Sequence, residues 1–372
     1  MDVLLLVVSL AAILAAAELF TNGIEWFGHK LDLAEGAVGS VLAAVATAMP
    51  ETLIPTIAIV GPAISGQDAE ASHAIGVGAI LGAPFMLSTL AMFVTGMAIV
   101  TFARLGRRGL EMAVNIRVLG RDVAVFVVGY AIAIGTAFLP PELTWMKWGA
   151  AALLLVMYGV YVWLHFRDDA EEGDASDLNR LHATRIPGMA GRHTLEVTLL
   201  PGDDGDEVVG HEPRMRIVLV QVVAAIALIV VGAQVFVTAV DDIATAIQFD
   251  RTILALVIAP IATELPEKFN SVLWVRNGKD TLAMGNITGA MVFQSCIPTV
   301  LGLLFTTWAF SEASAVSFAS AVAAFVATAL IFGVMLRTGR LSARMLLIGG
   351  PIYLAYLAIA LLSPLGSTAA TP

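Results

Sequence analysis

The sequence predicts an all-α polytopic membrane protein, ten transmembrane helices arranged as two inverted five-helix repeats. Three observations carry that prediction: the apolar content, the placement of basic residues, and a duplicated Pro-Glu motif. Of 372 residues, 58% are hydrophobic and only 13% charged, and the mean hydropathy is +0.87. A soluble globular chain has about 45–50% apolar and about 25% charged residues, so this surface is built for lipid. The single cysteine, Cys296, has no partner in the chain and excludes an internal disulfide scaffold.

Charged and Gly/Pro-rich breaks leave apolar segments near 3–28, 36–63, 71–102, 121–139 and 143–165, then 215–247, 252–275, 281–310, 314–336 and 343–363. A spanning helix needs roughly 20 apolar residues. No Lys or Arg precedes the first run, so it reads as a retained helix and not as a cleaved signal. Runs this long lack the period-2 alternation of barrel strands, which leaves helices as the structure that satisfies every backbone group in lipid. The chain divides into a first repeat at 1–165, an acidic loop at 166–214 and a second repeat at 215–372.

Orientation follows from Lys and Arg, which accumulate on the cytoplasmic side. Seventeen of the 20 fall in loops of one parity: Lys30, then 104–121, the central loop, 276–279 and 337–344. Only Lys147 and Arg251 lie in the other loops, and Lys268 falls inside a span. Both termini are therefore expected outside and the central loop inside. That loop holds Asp168, Asp169, Glu171, Glu172 and Asp174, and later Asp203, Asp204, Asp206 and Glu207, so it accounts for much of the net charge of −10. Its stretch 194–199 alternates as a short hairpin would, but it lacks EF-hand spacing and reads as a solvated linker.

The repeat is visible residue by residue. Val45-Ala-Thr-Ala-Met-Pro-Glu51 matches Ile261-Ala-Thr-Glu-Leu-Pro-Glu267, which superposes Thr47, Pro50 and Glu51 on Thr263, Pro266 and Glu267. One helix later, Gly78, Gly82 and Ala83 match Gly285, Gly289 and Ala290. Five spans per half is an odd number, so the second copy crosses in the opposite sense, as in many secondary transporters. The glycines can also be read as packing positions between helices. The acids cannot, because an ionised side chain in mid-membrane costs about 2.5–3.5 kcal/mol on the insertion scale. Pro50 and Pro266 each remove a helix donor and free a carbonyl near the preceding threonine, giving carboxylates, carbonyls and hydroxyls together, a ligand set that hard cations such as Ca²⁺ prefer.

The duplicated Ala-Thr-x-x-Pro-Glu, each copy followed by a Gly-x-x-x-Gly-Ala, resembles the two α-repeats of the cation/Ca²⁺ exchanger superfamily, the sodium/calcium exchangers. The segment Asn277-Gly278-Lys279-Asp280 leading to Gly285 and Asn286 is similar to that family's connection between its seventh and eighth helices. The resemblance implies a secondary antiporter, not an enzyme, in a bacterial inner or plasma membrane, exchanging Ca²⁺ for Na⁺. It implies that Glu51 and Glu267 are the central metal ligands and that Thr47 and Thr263 add oxygens. Partners are then the transported cations and the lipid bilayer, without nucleic acid or a resident cofactor, in a monomer or weak homo-oligomer.

Departures from the family pattern keep other readings open. Serines common in the family are replaced by Ala48, Glu264, Ala83 and Ala290, and the further polar ligands by Leu87 and Gln294. Gln294 remains a candidate ligand. Glu264, three residues before Glu267, shares a helix face with it, and three carboxylates in one cavity raise one another's pKa, which makes H⁺ an alternative counter-ion. Mg²⁺ or Mn²⁺ as cargo, a channel, and a transport-dead sensor are further alternatives. Glu18 and its repeat mate Gln234 either line a pathway or bond between helices; Asn22 and Thr238 read as packing groups. Asn286 either caps a broken helix or ligates the ion. No Walker-type phosphate loop occurs, which argues against an ATP-driven pump.

Overall fold

A computed structural model describes residues 2–30, 49–65, 69–169, 213–249, 253–258, 264–276, 278–312 and 314–362. In chain order they form α1 (Asp2–Lys30), α2 (Met49–Ser65), α3 (Ala69–Met86), α4 (Met92–Arg104), β1 (Glu111–Met112), α5 (Ile116–Gly135), α6 (Met146–Asp169), α7 (Met215–Ile247), α8 (Leu265–Arg276), α9 (Asp280–Phe305), α10 (Ala315–Thr338), β2 (Leu341–Ser342), α11 (Ala343–Leu346) and α12 (Gly349–Leu362). Residues 253–258 are also helical. Among the described residues, eight helical segments are long and apolar enough to cross a membrane. Of the ten expected spans, 36–63 and 252–275 are represented by the shorter α2, the 253–258 turn and α8. The hairpin expected at 194–199 and most of the 166–214 loop lie outside the described residues.

The outer helices turn leucine and valine outward: Leu4, Leu153, Val156, Val223, Leu354 and Leu362 are all exposed. An apolar surface of that extent marks a lipid-facing wall. Trp145, just before α6, and Trp163, within its last two turns, both stand exposed. Their 18-residue spacing corresponds to about 27 Å of helix, close to the roughly 30 Å hydrocarbon core, and tryptophans favour both interfaces.

The two halves run in opposite senses. α1 lies along α7 with Ile13 against Gly232, while further along, Gln221 Nε2 donates to Leu19 O at 2.8 Å and to Asn22 Oδ1 at 3.0 Å. Rising numbers in one helix meet falling numbers in the other, so the repeat-related pair is antiparallel. A smaller echo follows the same offset as the Pro-Glu pair. Ile59 O meets His73 Nε2 at 3.0 Å, and its counterpart Val275 O accepts from Arg108 Nη1 at 2.9 Å.

α9 is the central rod, packed against α2, α3, α5, α6 and α8. It also packs against the α3–α4 rod, which passes through a π-helical turn at Leu87–Ala91. Pro84 lies just before that turn, and the Ser88 and Thr89 hydroxyls both donate to the Phe85 carbonyl, a local competition with the helix ladder. α12 begins hard against the turn, where a Cβ on Gly349 would come 2.2 Å from Thr89 O.

One end of the bundle is tied by the basic loops. β1 pairs antiparallel with β2. Arg108 binds Asp280 at the start of α9, and Asn115 N donates to Thr281 Oγ1 at 3.2 Å. The sequence places the fourth span at 121, because Arg117 and Arg121 read as loop charges. The helix instead starts at Ile116, since Asn115 Oδ1 accepts from the backbone N–H of Arg117 and Val118 and so satisfies orphan donors of the first turn.

Candidate functional site

The matched Pro-Glu pairs occupy equivalent places in the structure. Met49-Pro50-Glu51 opens α2, and Leu265-Pro266-Glu267 opens α8, so each glutamate is the third residue of its helix. The sequence reading has each proline interrupting a span from within. In the structure Pro266 sits in the first turn of α8, after the non-helical Glu264, where a missing N–H costs nothing. A carboxylate there also faces the positive end of the helix dipole. Glu51 is buried at 5% exposure. The side chain of Glu267, and Thr47 and Thr263 altogether, lie outside the described residues.

α2 and α8 both pack on α9, whose buried polar residues complete the region. Gln294 is 1% exposed and Asn286 7%. Among the described residues, Gln294 Oε1, Asn286 Nδ2 and Glu264 Oε1 have no hydrogen-bond partner. A buried polar atom left unsatisfied costs about 1–3 kcal/mol, so such atoms mark places where a further partner belongs. Two of the three are oxygens, donors suited to a hard cation. Pro298 adds a backbone contribution: it cannot bond the Gln294 carbonyl, which the Thr299 hydroxyl takes at 3.0 Å instead.

Glu264 is the residue whose surroundings the sequence reading missed. Its Oε2 accepts from Lys268 Nζ at 2.9 Å, with both side chains buried. The expected trio of carboxylates therefore contains an ammonium. The Glu264–Lys268 spacing of four is the helical ion-pair spacing and was present in the sequence; the burial was not.

Asn286 does not cap α9, which starts at Asp280; it lies two turns inside the helix. Glu18, Gln234 and Thr238 all stand on exposed flanks of α1 and α7, whereas Asn22 is buried and bonded to Gln221. At Gly285 a Cβ would meet nothing within 4 Å, so close helix packing does not account for that glycine. Ala83, Leu87 and Ala290 are buried and bring no side-chain oxygen. No group of three His, Cys, Asp or Glu side chains able to hold a metal occurs among the described residues.

A second buried polar cluster lies toward the tied end. Asp122 accepts from Tyr161 Oη at 3.1 Å and from Thr288 Oγ1 at 2.6 Å, joining α5, α6 and α9, with the His165 ring tilted against Tyr161, centroids 5.3 Å apart. The sequence reading overlooked Asp122 because it lay at a misplaced helix boundary.

The family model described as sodium/calcium exchanger protein matches residues 1–167 and 217–362. Among solved structures, the fold is similar to the H⁺/Ca²⁺ exchanger CAX (TM-score 0.66, 14% identity, 97% of this chain and 82% of that one). It is also similar to the sodium-calcium exchanger NCX_Mj soaked with 100 mM Na⁺ and 10 mM Sr²⁺ (0.55, 16%, 97% and 98%). The same exchanger soaked with 10 mM Na⁺ and zero Ca²⁺ gives 0.56 at 15% identity, covering 97% and 99%. No curated protein matches the chain.

Proposed function

The chain belongs to the sodium/calcium exchanger protein family, a family of membrane transporters, and on that premise we propose that it is a secondary antiporter exchanging Ca²⁺ for Na⁺. The observation that supports this reading is the pair of repeat-related helix starts, each opening on Pro-Glu, with Glu51 buried at 5% exposure. Glu51 and Glu267 are the central ligands in this proposal. Thr47 and Thr263 supply oxygens from the segments before the two helices, and Gln294 Oε1 and Glu264 Oε1 add to the shell.

Exchange follows from charge. Two carboxylates in a low-dielectric core bind one divalent ion or a set of monovalent ions. Without either, two like charges held together are too costly to bury, so the empty cavity resists occlusion and ions must be traded. The protein sits in the bacterial inner or plasma membrane with both termini outside, a direction supported by the basic loops.

A second reading, H⁺ as counter-ion, starts from one observation: Ala83, Leu87 and Ala290 are buried without a side-chain oxygen, which thins any Na⁺ shell. The deciding experiment is Ca²⁺ uptake into proteoliposomes of the purified chain at clamped voltage, with a Na⁺ gradient, a pH gradient or neither. Uptake driven by Na⁺ alone supports the proposal, uptake driven by pH alone selects the second reading, and uptake with neither indicates a channel.

A further inference from the structure

Lys268 follows Glu267 directly, inside a span and one helical turn after Glu264. Its ammonium is not directed out toward an interface, the usual escape for a lysine in lipid. It stays buried at 6% side-chain exposure, 2.9 Å from Glu264 Oε2, beside a carboxylate at 1%. The backbone fixes the pair as well, since Lys268 N donates to Glu264 O at 3.2 Å. Downstream, the Ser271 hydroxyl anchors the same helix to the Ala283 carbonyl at 3.2 Å.

An ammonium is a compact monovalent cation with three donors and no acceptor. Held against one oxygen of Glu264, it does what a bound monovalent ion would do there: it neutralises the carboxylate without entering from solution. The other oxygen, Glu264 Oε1, keeps no hydrogen-bond partner among the described residues and remains a lone-pair ligand for a neighbouring ion, within a pair of zero net charge. We propose that Lys268 is a tethered counter-ion. It fills the Glu264 position of the ion cavity permanently, so that the exchanger moves one monovalent charge fewer per Ca²⁺ than it would with Glu264 free. This rests on the antiporter reading above and deepens it, assigning a residue that sets the exchange ratio whichever monovalent ion is used.

The test is the exchange ratio, read at clamped zero voltage from the monovalent-ion gradient at which net Ca²⁺ flux stops in proteoliposomes with a fixed Ca²⁺ gradient. Lys268→Gln and Lys268→Met should each raise the ratio by one positive charge per Ca²⁺. Lys268→Arg, which keeps the tethered charge, should hold the wild-type ratio. Flux in Lys268→Gln with an unchanged ratio overturns the proposal. If Lys268→Gln is silent yet monodisperse, a higher monovalent-ion concentration decides: flux recovered at one monovalent ion more per Ca²⁺ supports the tether, and continued silence overturns it. Absence of Ca²⁺ flux in the wild type under every gradient would instead strike the antiporter reading itself.

Discussion

Arg108 and Asp280 close on each other through two parallel hydrogen bonds of 2.7 Å, joining the two halves of the chain across 172 residues. Asp280 Oδ2 also accepts from Ala113 N at 2.9 Å, and the guanidinium reaches Val275 O. Asp280 is the first residue of α9, so its charge also meets the positive helix end. The clamp holds the α4–α5 connection on the central rod.

Removing one partner of a buried, fully bonded pair costs about 3–5 kcal/mol. With side-chain exposures of 13% and 4%, Asp280→Ala should lower stability by roughly the lower figure of that range. Arg340 and Glu111 form the contrasting case at 3.4 Å, with both side chains mostly exposed. Glu111→Ala should change stability by about 0–1 kcal/mol. Thermal unfolding of both variants in detergent checks the ranking, and equal melting temperatures would refute the clamp.

Tyr161→Phe should be a purely structural lesion. It removes one 3.1 Å hydrogen bond to a carboxylate that is 1% exposed, and hydrogen bonds to charged groups contribute about 1.5–3 kcal/mol. Asp122 keeps the Thr288 hydroxyl at 2.6 Å, so the loss should fall near the low end. The expected result is a lower melting temperature with Ca²⁺ transport retained. Loss of transport at an unchanged melting temperature would give this cluster a direct role in ion passage.

Most of the helical layout was legible because apolar runs and basic loops are composition-level signals that lipid enforces. What failed was local. Arg117 and Arg121 pushed the expected start of α5 too late, since the capping capacity of Asn115 was outweighed by two charges; Asp122 was lost with it. Pro50 and Pro266 were legible as special, but a proline inside a span and a proline opening a helix look alike in one dimension. The π turn at Leu87–Ala91 leaves no periodic trace, and its only hints are Pro84 and the Ser88-Thr89 pair. Lys268 was counted as a charge inside a span, and its spacing to Glu264 was readable. Its role was not, because burial of the ammonium is a property of the packed bundle.

Gly349 and Gly333 give opposite expectations for the same substitution. A Cβ on Gly349 would lie 2.2 Å from Thr89 O and 3.0 Å from Thr89 C, both backbone atoms, so α12 must move off the π turn. Overpacking of this kind costs about 1–3 kcal/mol. At Gly333, within α10, a Cβ meets nothing within 4 Å, and Ala gains roughly 0.5–1 kcal/mol of helix propensity. Gly349→Ala should therefore melt below the wild type and Gly333→Ala at or above it. The reverse order would mean that α12 does not approach the turn this closely.

Glu51→Gln separates folding from binding. The amide preserves the side chain's shape and removes a charge that stands at 5% exposure. A side chain of the same shape keeps the packing, so the ion-free melting temperature should stay near the wild-type value. Binding to the folded state stabilises by about 2.7 kcal/mol at a ligand concentration 100 times Kd, so the wild type should melt higher as Ca²⁺ is added. Glu51→Gln should show no such rise, and its Ca²⁺ uptake should match protein-free liposomes. A variant that keeps both the Ca²⁺-dependent rise and the flux would remove Glu51 from the ion site. One that loses only the flux would place Glu51 in the transition between the two access states and not in binding.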